Sequence, residues 1–226
     1  MKQFALLASA LLLLVSCEKG IFDTEKQKDN TKHTKVSAVN LGLSVKWANC
    51  NLGASKPEEY GDYYAWGDTD LYYESIDSQS GITIWKKGKE NGFNWKNYKW
   101  CNGSSKSLTK YNYNFLYGIV DHKNMLDNED DAARVKLGGK WRIPTDDEWK
   151  EPIDNCDWSW TKQKGVNGLL MTSKINGASI FLPATSTQST TDFSATGKVG
   201  EYWCSSLCGF NASTAGSTNF SSSGIF

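Results

Sequence analysis

The first sixteen residues determine how much of this chain is available for a folded domain. They comprise a charged start, Met1-Lys2-Gln3, and an unbroken run of twelve apolar and small residues from Phe4 to Val15, followed by Ser16. A charged segment, a short apolar core and a small residue form the pattern of a secretory signal peptide. The run is too short to span a bilayer as a helix, which needs about 20 residues. Residues 1–16 are therefore predicted to be a signal peptide.

The apolar run ends in Leu14-Val15-Ser16-Cys17. This tetrapeptide resembles the lipobox of bacterial lipoproteins, in which the cysteine is acylated and becomes the first residue of the mature protein. The resemblance implies that Cys17 carries lipid, including palmitate, and that the membrane is a partner of this chain. Several acyl chains anchor a protein durably, because each buried methylene contributes roughly 0.8 kcal/mol. An ordinary secretory signal with a coincidental cysteine is the alternative.

Residues 17–37 are predicted to be a flexible, lipidated tether. From Glu18 to Lys35 the chain is mostly charged and polar, and it contains only two large apolar residues, Ile21 and Phe22. Such a segment buries too little apolar surface to offset the entropy lost on ordering. Glu18-Lys19 resembles the export tags of surface-exposed lipoproteins in Bacteroidetes-like bacteria, although tether composition alone accounts for it equally well. We expect a lipid-anchored protein at the bacterial outer membrane or cell surface.

The composition of the remainder indicates one domain, residues 38–226, and limits its partners. The net charge is zero, and only two of the 25 basic residues are arginines, Arg134 and Arg142. Without a basic run, nucleic acid is not an expected partner. Aromatic residues make up 13% of the chain and include ten Trp. This proportion suits either a compact, sheet-rich core or a surface on which ligands stack.

Cysteines and acidic residues are the candidate metal ligands of this chain. Five cysteines follow the predicted anchor, and they are Cys50, Cys101, Cys156, Cys204 and Cys208. An odd number leaves at least one thiol unpaired, and the pairing cannot be deduced from the sequence. No pair of CxxC motifs is present, so a zinc site is not expected. The acidic residues from Asp127 to Asp131 are interpreted as a helix start rather than a cation site, and neither a metal nor a cofactor is predicted.

Periodicity predicts where strands and loops lie. Apolar residues alternate with polar or small ones from Val39 to Trp47, which is typical of a half-buried strand. Gly61 to Gly67 is predicted to be a short strand or turn, and the aperiodic stretch from Asp68 to Asn94 a long surface loop. Two apolar runs flank Asn176-Gly177, a pair that favours a tight type I′ turn. They predict a hairpin with Ile180-Phe181-Leu182 buried.

Two helices are indicated by their end signals. Asp130 to Leu137 starts with acids and ends at Gly138-Gly139, which favours a short helix. Thr145 and Glu148 have the spacing of a capping box, so a second helix is predicted to start there. Pro152 removes a backbone donor in that helix. The helix is therefore expected to stop or kink near Glu151.

Several blocks in order suggest a family. They are Asn40 to Trp47, Tyr60 to Gly67, Gly138 to Trp149, Ser179 to Pro183 and Tyr202-Trp203. Together these blocks resemble the Fibrobacter major paralogous domain, which occurs in lipoproteins of gut Bacteroidetes. The resemblance implies an α+β, C-type lectin-like fold, shared with formylglycine-generating enzymes, with short helices, small antiparallel sheets and long loops.

The chain departs from that family at three places. Pro152 replaces an apolar residue that suits a helix, and Cys204 replaces a serine in the Tyr-Trp-Ser-Ser-Ser block. The closing Ser-Val-Arg block of relatives is also missing, since the chain reaches Phe226 without it. The domain is therefore expected to be incomplete at its C-terminus and to have an open sheet edge, of the kind that pairs with another chain.

Catalysis has little support in the sequence. The copper-binding cysteine region of the formylglycine-generating enzymes is absent, and His122 is the only histidine of the predicted domain. No nucleophile is paired with a base, and no Gly-x-Ser-x-Gly motif is present. We therefore predict that the chain is not an enzyme and has no catalytic residues. A relative of the formylglycine-generating oxidases and a degenerate paralogue without activity are the alternatives.

The leading hypothesis is a lipid-anchored binding or adhesion module with a glycan or surface-protein ligand. Aromatic side chains on or beside the predicted loop are the candidate ligand-binding residues, and these are Tyr72, Tyr73, Trp85, Phe93 and Trp95. Aromatic faces on a loop stack on sugars or fill pockets in a partner. Packing of the loop against the core is the equally weighted alternative. The tryptophans in regular or family-matched blocks are predicted to be core, and they are Trp47, Trp66, Trp141, Trp149 and Trp203.

Overall fold

The computed structural model describes residues 36–77, 83–89, 93–186, 193, 195–209 and 212–226. The predicted signal peptide, the predicted lipidation at Cys17 and all but the last two residues of the predicted tether lie outside the described residues. Within the described ranges, no helix is long and apolar enough to cross a bilayer.

The described chain has a mixed α+β fold made of small antiparallel sheets and few helices. The strands are β1 (Ala38–Val39), β2 (Trp47–Ala48), β3 (Asp62–Tyr63), β4 (Tyr73–Asp77), β5 (Thr83–Lys87), β6 (Cys156–Gln163), β7 (Val166–Ser173), β8 (Ser179–Pro183), β9 (Val199–Leu207), β10 (Ala215–Ser221) and β11 (Gly224–Ile225). The helices are a 3-10 turn (Phe115–Tyr117), α1 (Ala132–Leu137) and α2 (Asp146–Asn155). The sheets are β1-β2, β3-β4-β5, β6-β7-β8 and β9-β10-β11, each in that order.

The stretch from Val39 to Trp47 is not one strand, so that prediction is wrong. Its two ends pair with each other, with Val39 opposite Trp47 in the β1-β2 ladder. Between them the chain turns at Gly42, which has a φ of +74° and whose N–H donates to Asn40 Oδ1 at 2.8 Å. A positive φ is incompatible with a continuous strand. Its apolar residues reach the core from different elements, since Leu41 lies in the turn and Trp47 in β2, and both side chains are buried.

The stretch from Asp68 to Asn94 also differs from the prediction of a long loop. It contains β4 and β5, which form an antiparallel hairpin with Ser75 opposite Trp85. Tyr72 and Tyr73 are both buried although they are adjacent in sequence. Consecutive buried residues remove the period of two that reveals a half-buried strand.

The two predicted helices are confirmed. Asp131 caps α1, and its carboxylate accepts from the N–H of Arg134 at 3.0 Å. The capping box of Thr145 and Glu148 starts α2. Both helix starts depend on residues at most three positions apart, which is why local sequence predicts them.

Helix α2 runs through Pro152 to Asn155, so it does not stop near Glu151, and the kink that was predicted as the other possibility stays a prediction. Proline lacks the N–H that would bond one turn back, but its ring is buried here. Its carbonyl accepts the N–H of Cys156 at the end of the helix and the indole N–H of Trp158 at 2.9 Å. These two hydrogen bonds and the burial of the proline ring stabilise the last turn of α2.

The predicted hairpin is confirmed as β7 and β8, but its turn is different. The loop has four residues between Ser173 and Ala178, and the N–H of Gly177 donates to Ser173 O at 3.0 Å. Gly177 has a φ of +73°, whereas Asn176 is not among the positive-φ residues. A type I′ turn needs positive φ at both positions. The burial predicted for Ile180, Phe181 and Leu182 is also confirmed.

Strand β9 separates two hydrophobic clusters. Trp203 and Leu207 face one cluster, and Tyr202 and Cys204 face the other. Alternate side chains of a strand point to opposite faces, so one strand serves both cores. Four of the five predicted core tryptophans are fully buried, while Trp141 is partly buried against the first cluster.

Candidate functional site

Three of the predicted ligand-binding aromatics are buried. Tyr72, Tyr73 and Phe93 are 0%, 2% and 2% exposed. The rings of Tyr72 and Phe93 lie 5.8 Å apart between centroids inside the first hydrophobic cluster. None of the three offers a face to a ligand, so the prediction that they bind one is wrong for these residues. They pack the segment against the core, as the alternative stated.

The other two candidates remain predictions. Trp95 is partly buried, and its ring contacts Phe93 and Tyr98 edge-on at 5.7 Å from each. Trp85 lies in β5, and its side chain is outside the described residues. A ligand surface built from all five aromatics is therefore excluded.

A buried carboxylate fixes the same segment. Asp68 is 1% exposed and accepts the hydroxyl of Tyr72 at 2.9 Å and the ammonium of Lys89 at 2.9 Å. Burial, reinforced by the Asp68 carboxylate, raises the pKa of Tyr72 above its ordinary value. The network is satisfied internally, so it has a structural role.

An acidic cluster near α1 is already neutralised by lysines. Ligand oxygens of Asp127, Glu129 and Asp130 lie within 4.8 Å of one another. The ammonium of Lys110 bonds to both Asp127 and Asp130, and that of Lys99 bonds to Asp130 at 2.9 Å. Burial acts to raise the pKa of Asp130, but these bonds outweigh it and lower the pKa below its usual range. The cluster is a salt-bridge network.

A concave feature lies where the N-terminal turn of α2 meets the β9-β10 hairpin. It is a cleft of about 670 Å³. Its lining residues come from three separate parts of the chain, and they are Met125, Thr145, Asp146, Asp147, Cys204, Ser206, Leu207, Cys208, Gly209, Thr214, Ala215, Gly216 and Ser217. The ends of α2 and β9 bring them together, and we call this feature the cleft.

The thiol inside the cleft is not activated. Cys204 is 2% exposed, and burial raises the pKa of its thiol to about 11. Its sulfur bonds to the carbonyl of Ser206 at 3.4 Å. The thiolate is the nucleophilic form, so a thiol with this pKa is inert at neutral pH. The described lining contains no histidine that would act as a base, and the exposed Cys208 has no such partner there either.

The rim of the cleft is acidic. Asp146 and Asp147 form the first turn of α2, and their side chains are 64% and 91% exposed. Lys150, one turn further along α2, bonds to Asp146 at 2.7 Å and to Asp147 at 2.9 Å. Two carboxylates against one ammonium leave a net negative rim, and the described lining itself contains no lysine or arginine.

The floor of the cleft requires a glycine. β10 has an irregularity in register between Ala215 and Ser217, where Gly216 lies. A Cβ atom built on Gly216 would be 2.3 Å from Cys204 Sγ. Any side chain at this position would therefore displace the thiol and reshape the cleft.

A second surface feature stands beside the cleft. Residues 112–121, here called the apolar loop, expose Phe115 by 80%, Leu116 by 64% and Ile119 by 62%. The ends of the loop are held by Asp121, whose carboxylate accepts the backbone N–H groups of Tyr111 and Asn112, each at 2.9 Å. The loop thus has a defined backbone and an exposed apolar tip.

Two contacts join the apolar loop to the cleft. The hydroxyl of Tyr113 donates to the carbonyl of Cys208 at 3.1 Å. Met125, just beyond the loop, forms a strand bridge with Ser206 and lines the cleft while 49% exposed. Loop and cleft therefore share one side of the molecule.

Sequence reasoning missed both features. The capping box of Thr145 marked one wall of the cleft, but nothing local indicated that Met125 and Thr214 lie opposite it. The apolar loop had a weak signal, since Phe115-Leu116 and Ile119 are large apolar residues in a stretch without strand or helix periodicity.

All five cysteines after Cys17 are free thiols in the structure. No family model matches the chain, and neither a curated protein nor a solved structure does. The resemblance to the Fibrobacter major paralogous domain therefore stays a prediction.

Proposed function

We propose that this chain is a lipid-anchored, non-enzymatic binding module of the bacterial cell envelope, with a C-type lectin-like fold, and that the cleft is its ligand site. The observation that carries the proposal is a cleft of about 670 Å³ whose buried thiol has its pKa raised to about 11. A cleft of this size accommodates a ligand segment. Its chemistry supports recognition rather than turnover.

The lining favours an extended peptide segment that carries a basic side chain. The hydroxyls of Ser206 and Thr214 and the backbone around Gly216 provide hydrogen-bonding groups, whereas the Ser217 hydroxyl already donates to Glu201 Oε1 at 3.0 Å. Met125 and Leu207 provide apolar contacts. The net negative rim at Asp146 and Asp147 attracts a lysine or arginine of the ligand. A surface protein therefore fits better than a glycan, since the described lining has no aromatic side chain on which a sugar ring would stack.

Charge reversal on the rim tests the ligand site. An array of extended peptides with and without lysine, probed with the full chain, identifies the best binder. We expect Asp147→Lys to weaken that binder at least tenfold, because a repulsive charge replaces an attractive one. The matched control is Asp154→Lys, an exposed aspartate of the same helix that does not line the cleft.

Three outcomes contradict the peptide site. Equal weakening by Asp147→Lys and Asp154→Lys shows a nonspecific charge effect. Binding that does not fall as salt is raised removes the electrostatic argument. Binding on a glycan array but to no peptide replaces the peptide with a sugar ligand.

The anchor is tested independently of the cleft. Cells fed labelled palmitate should yield membrane-fraction protein that carries the label, and Cys17→Ser should lose it. A variant that keeps the label shows that Cys17 is not the acylated residue and leaves the cleft unaffected.

A further inference from the structure

We infer that the outer edge of β6 is the pairing site for a second copy of this chain, and that two β6 strands align antiparallel across it. Strand β6 is the outermost strand of its sheet, whose order is β6-β7-β8, so the pairing joins two three-stranded sheets into one of six strands. The inference goes beyond the proposed ligand site, since β6 contributes no residue to the lining of the cleft.

The backbone groups on the outer side of β6 are free. The N–H of Ser173 donates to Ala178 O, so the odd-numbered residues of β7 bond on the β8 side and the even-numbered ones bond to β6. Asp157, Ser159 and Thr161 lie opposite those even-numbered residues and form the β6-β7 ladder. The alternate residues direct their N–H and C=O groups outward, and these are Trp158, Trp160 and Lys162. No hydrogen bond from the described part of the chain reaches these outward groups.

Strand β6 lacks most of the features that usually protect a sheet edge. Edge strands are commonly short, bulged or interrupted by proline, because unpaired backbone groups invite another strand. Strand β6 has eight residues, contains no proline and pairs with β7 without a shift in register. None of its residues after Cys156 is buried, and its single lysine, Lys162, lies next to its last residue. The edge is therefore open to a strand from outside.

One register of a β6 pair satisfies all the outward groups. If Trp160 lies opposite Trp160 of the second copy, Trp158 lies opposite Lys162 on either side of it, and the outward groups form three hydrogen-bonded pairs. A shift of two residues reduces these pairs to two. A shift of one residue sets outward groups of one strand against inward groups of the other. The free backbone groups thus select a single alignment.

The same register brings compatible side chains together. Trp158 lies beside Lys162 of the second copy, and a cation next to an aromatic ring is favourable. On the opposite face, Ser159 lies across from Thr161 of the second copy, and the only acid of the strand, Asp157, lies across from a glutamine. Facing hydroxyls stabilise a strand pair, whereas facing like charges destabilise it. No like charges meet here, so β6 is complementary to itself, which identifies a second copy as the occupant.

Disulfide trapping in membranes of the producing cells tests the pairing and its register. Full chains with Ser159→Cys and with Thr161→Cys are made together, with distinguishable tags and under mild oxidation. Both also carry Cys208→Ser, which removes the exposed native thiol. In the inferred register, positions 159 and 161 face each other in a non-hydrogen-bonded pair, whose Cα atoms lie about 4.5 Å apart, within reach of a disulfide.

The matched control pairs Asp157→Cys with Ser159→Cys in the same background. Both residues are exposed on the same face of β6 as Thr161. The inferred register separates them by four residues along the strand, or about 13 Å, which is too far for a disulfide. We expect the mixed disulfide between positions 159 and 161 to exceed that of the control by about tenfold or more, because only the first pair meets the geometric requirement.

A proline on the edge tests whether backbone pairing holds the two copies together. Lys162→Pro removes an outward N–H, and an edge strand tolerates proline where its N–H faces solvent. It should lower trapping between positions 159 and 161 by about tenfold, since two hydrogen bonds between the copies are lost. Lys162→Ala removes the charge but keeps the N–H, so it should preserve most of the trapping.

Every other result overturns the inference. Equal trapping of the two cysteine pairs would show random collisions, and trapping of neither would show that β6 does not meet its own copy. Capture of position 159 by a different protein would make the edge a site for a foreign strand. Full trapping in Lys162→Pro would show a contact without strand pairing. Peptide binding by the cleft is measured on chains without these changes, so failure of one proposal is distinguishable from failure of the other.

Discussion

Two stretches rich in large apolar side chains have opposite fates in this molecule. Residues 68–95 carry five aromatics that were predicted to form a binding surface, and three of these, Tyr72, Tyr73 and Phe93, are buried in the core. Residues 112–121 attracted no prediction, yet they place Phe115, Leu116 and Ile119 in solvent. The difference teaches that apolar composition does not decide whether a segment packs inward or faces outward.

Whether a segment packs inward depends on where its backbone and polar side chains find hydrogen-bond partners. In the first stretch, Tyr72 needs the buried pair of Asp68 and Lys89 for its hydroxyl, so its polar contacts lie inside the fold. In the apolar loop, Asp121 and Asn114 accept the N–H groups of Asn112 and Leu116, and Asp121 also accepts the N–H of the adjoining Tyr111. A loop that satisfies its own backbone needs no core for its side chains.

The largest effect should come from truncating matched phenylalanines in the two stretches. Phe93→Ala should lower the free energy of unfolding by about 3–5 kcal/mol, since it leaves a cavity in the core. Phe115→Ala should change it by less than about 0.5 kcal/mol, because the ring is exposed. Denaturant unfolding followed by tryptophan fluorescence measures both. Similar losses in the two variants would mean that the loop tip packs against the domain, and the contrast between the stretches would fail.

The parts of the fold that sequence predicts are those with local causes. The capping box of Thr145 and Glu148 and the turn around Gly177 each depend on residues a few positions apart, so their helix and hairpin were foreseen. The helix was wrongly expected to stop near Pro152. The burial of this proline and the hydrogen bonds to its carbonyl keep the helix intact, and they involve residues beyond the local pattern. Residues 39–47 were wrongly predicted to be one strand, because apolar and polar residues alternate there although the segment folds back on itself.

The candidate site could not be predicted from local sequence patterns. Its walls join Met125, Asp147, Cys204 and Thr214, which only the completed fold brings together.

A smaller effect should separate the two stretches by pH. Burial acts to raise the pKa of Asp121, but the backbone N–H bonds from Asn112 and Tyr111 outweigh it and hold the pKa below the ordinary value. A group whose folded pKa is depressed contributes stability above its unfolded pKa of about 3.9, and this contribution is lost as pH falls through the folded pKa. Hydrogen-exchange protection at Tyr111 and Asn112 should therefore fall as pH drops below about 4.

The variant Asp121→Asn should lose the pH dependence of this protection, because the amide side chain does not titrate. An amide oxygen still accepts a hydrogen bond but carries no charge, so local protection at pH 7 should fall by about 1–2 kcal/mol, as expected for one charged hydrogen bond. Parent and variant should converge only once pH falls below the lowered pKa of Asp121, because the parent carboxylate is protonated only there. Asp70→Asn is the matched control in the first stretch, where the side chain is 73% exposed. If protection of the loop amides were unchanged in Asp121→Asn across this range, the carboxylate would not be the clamp. The apolar tip would then owe its exposure to something other than a self-satisfied backbone.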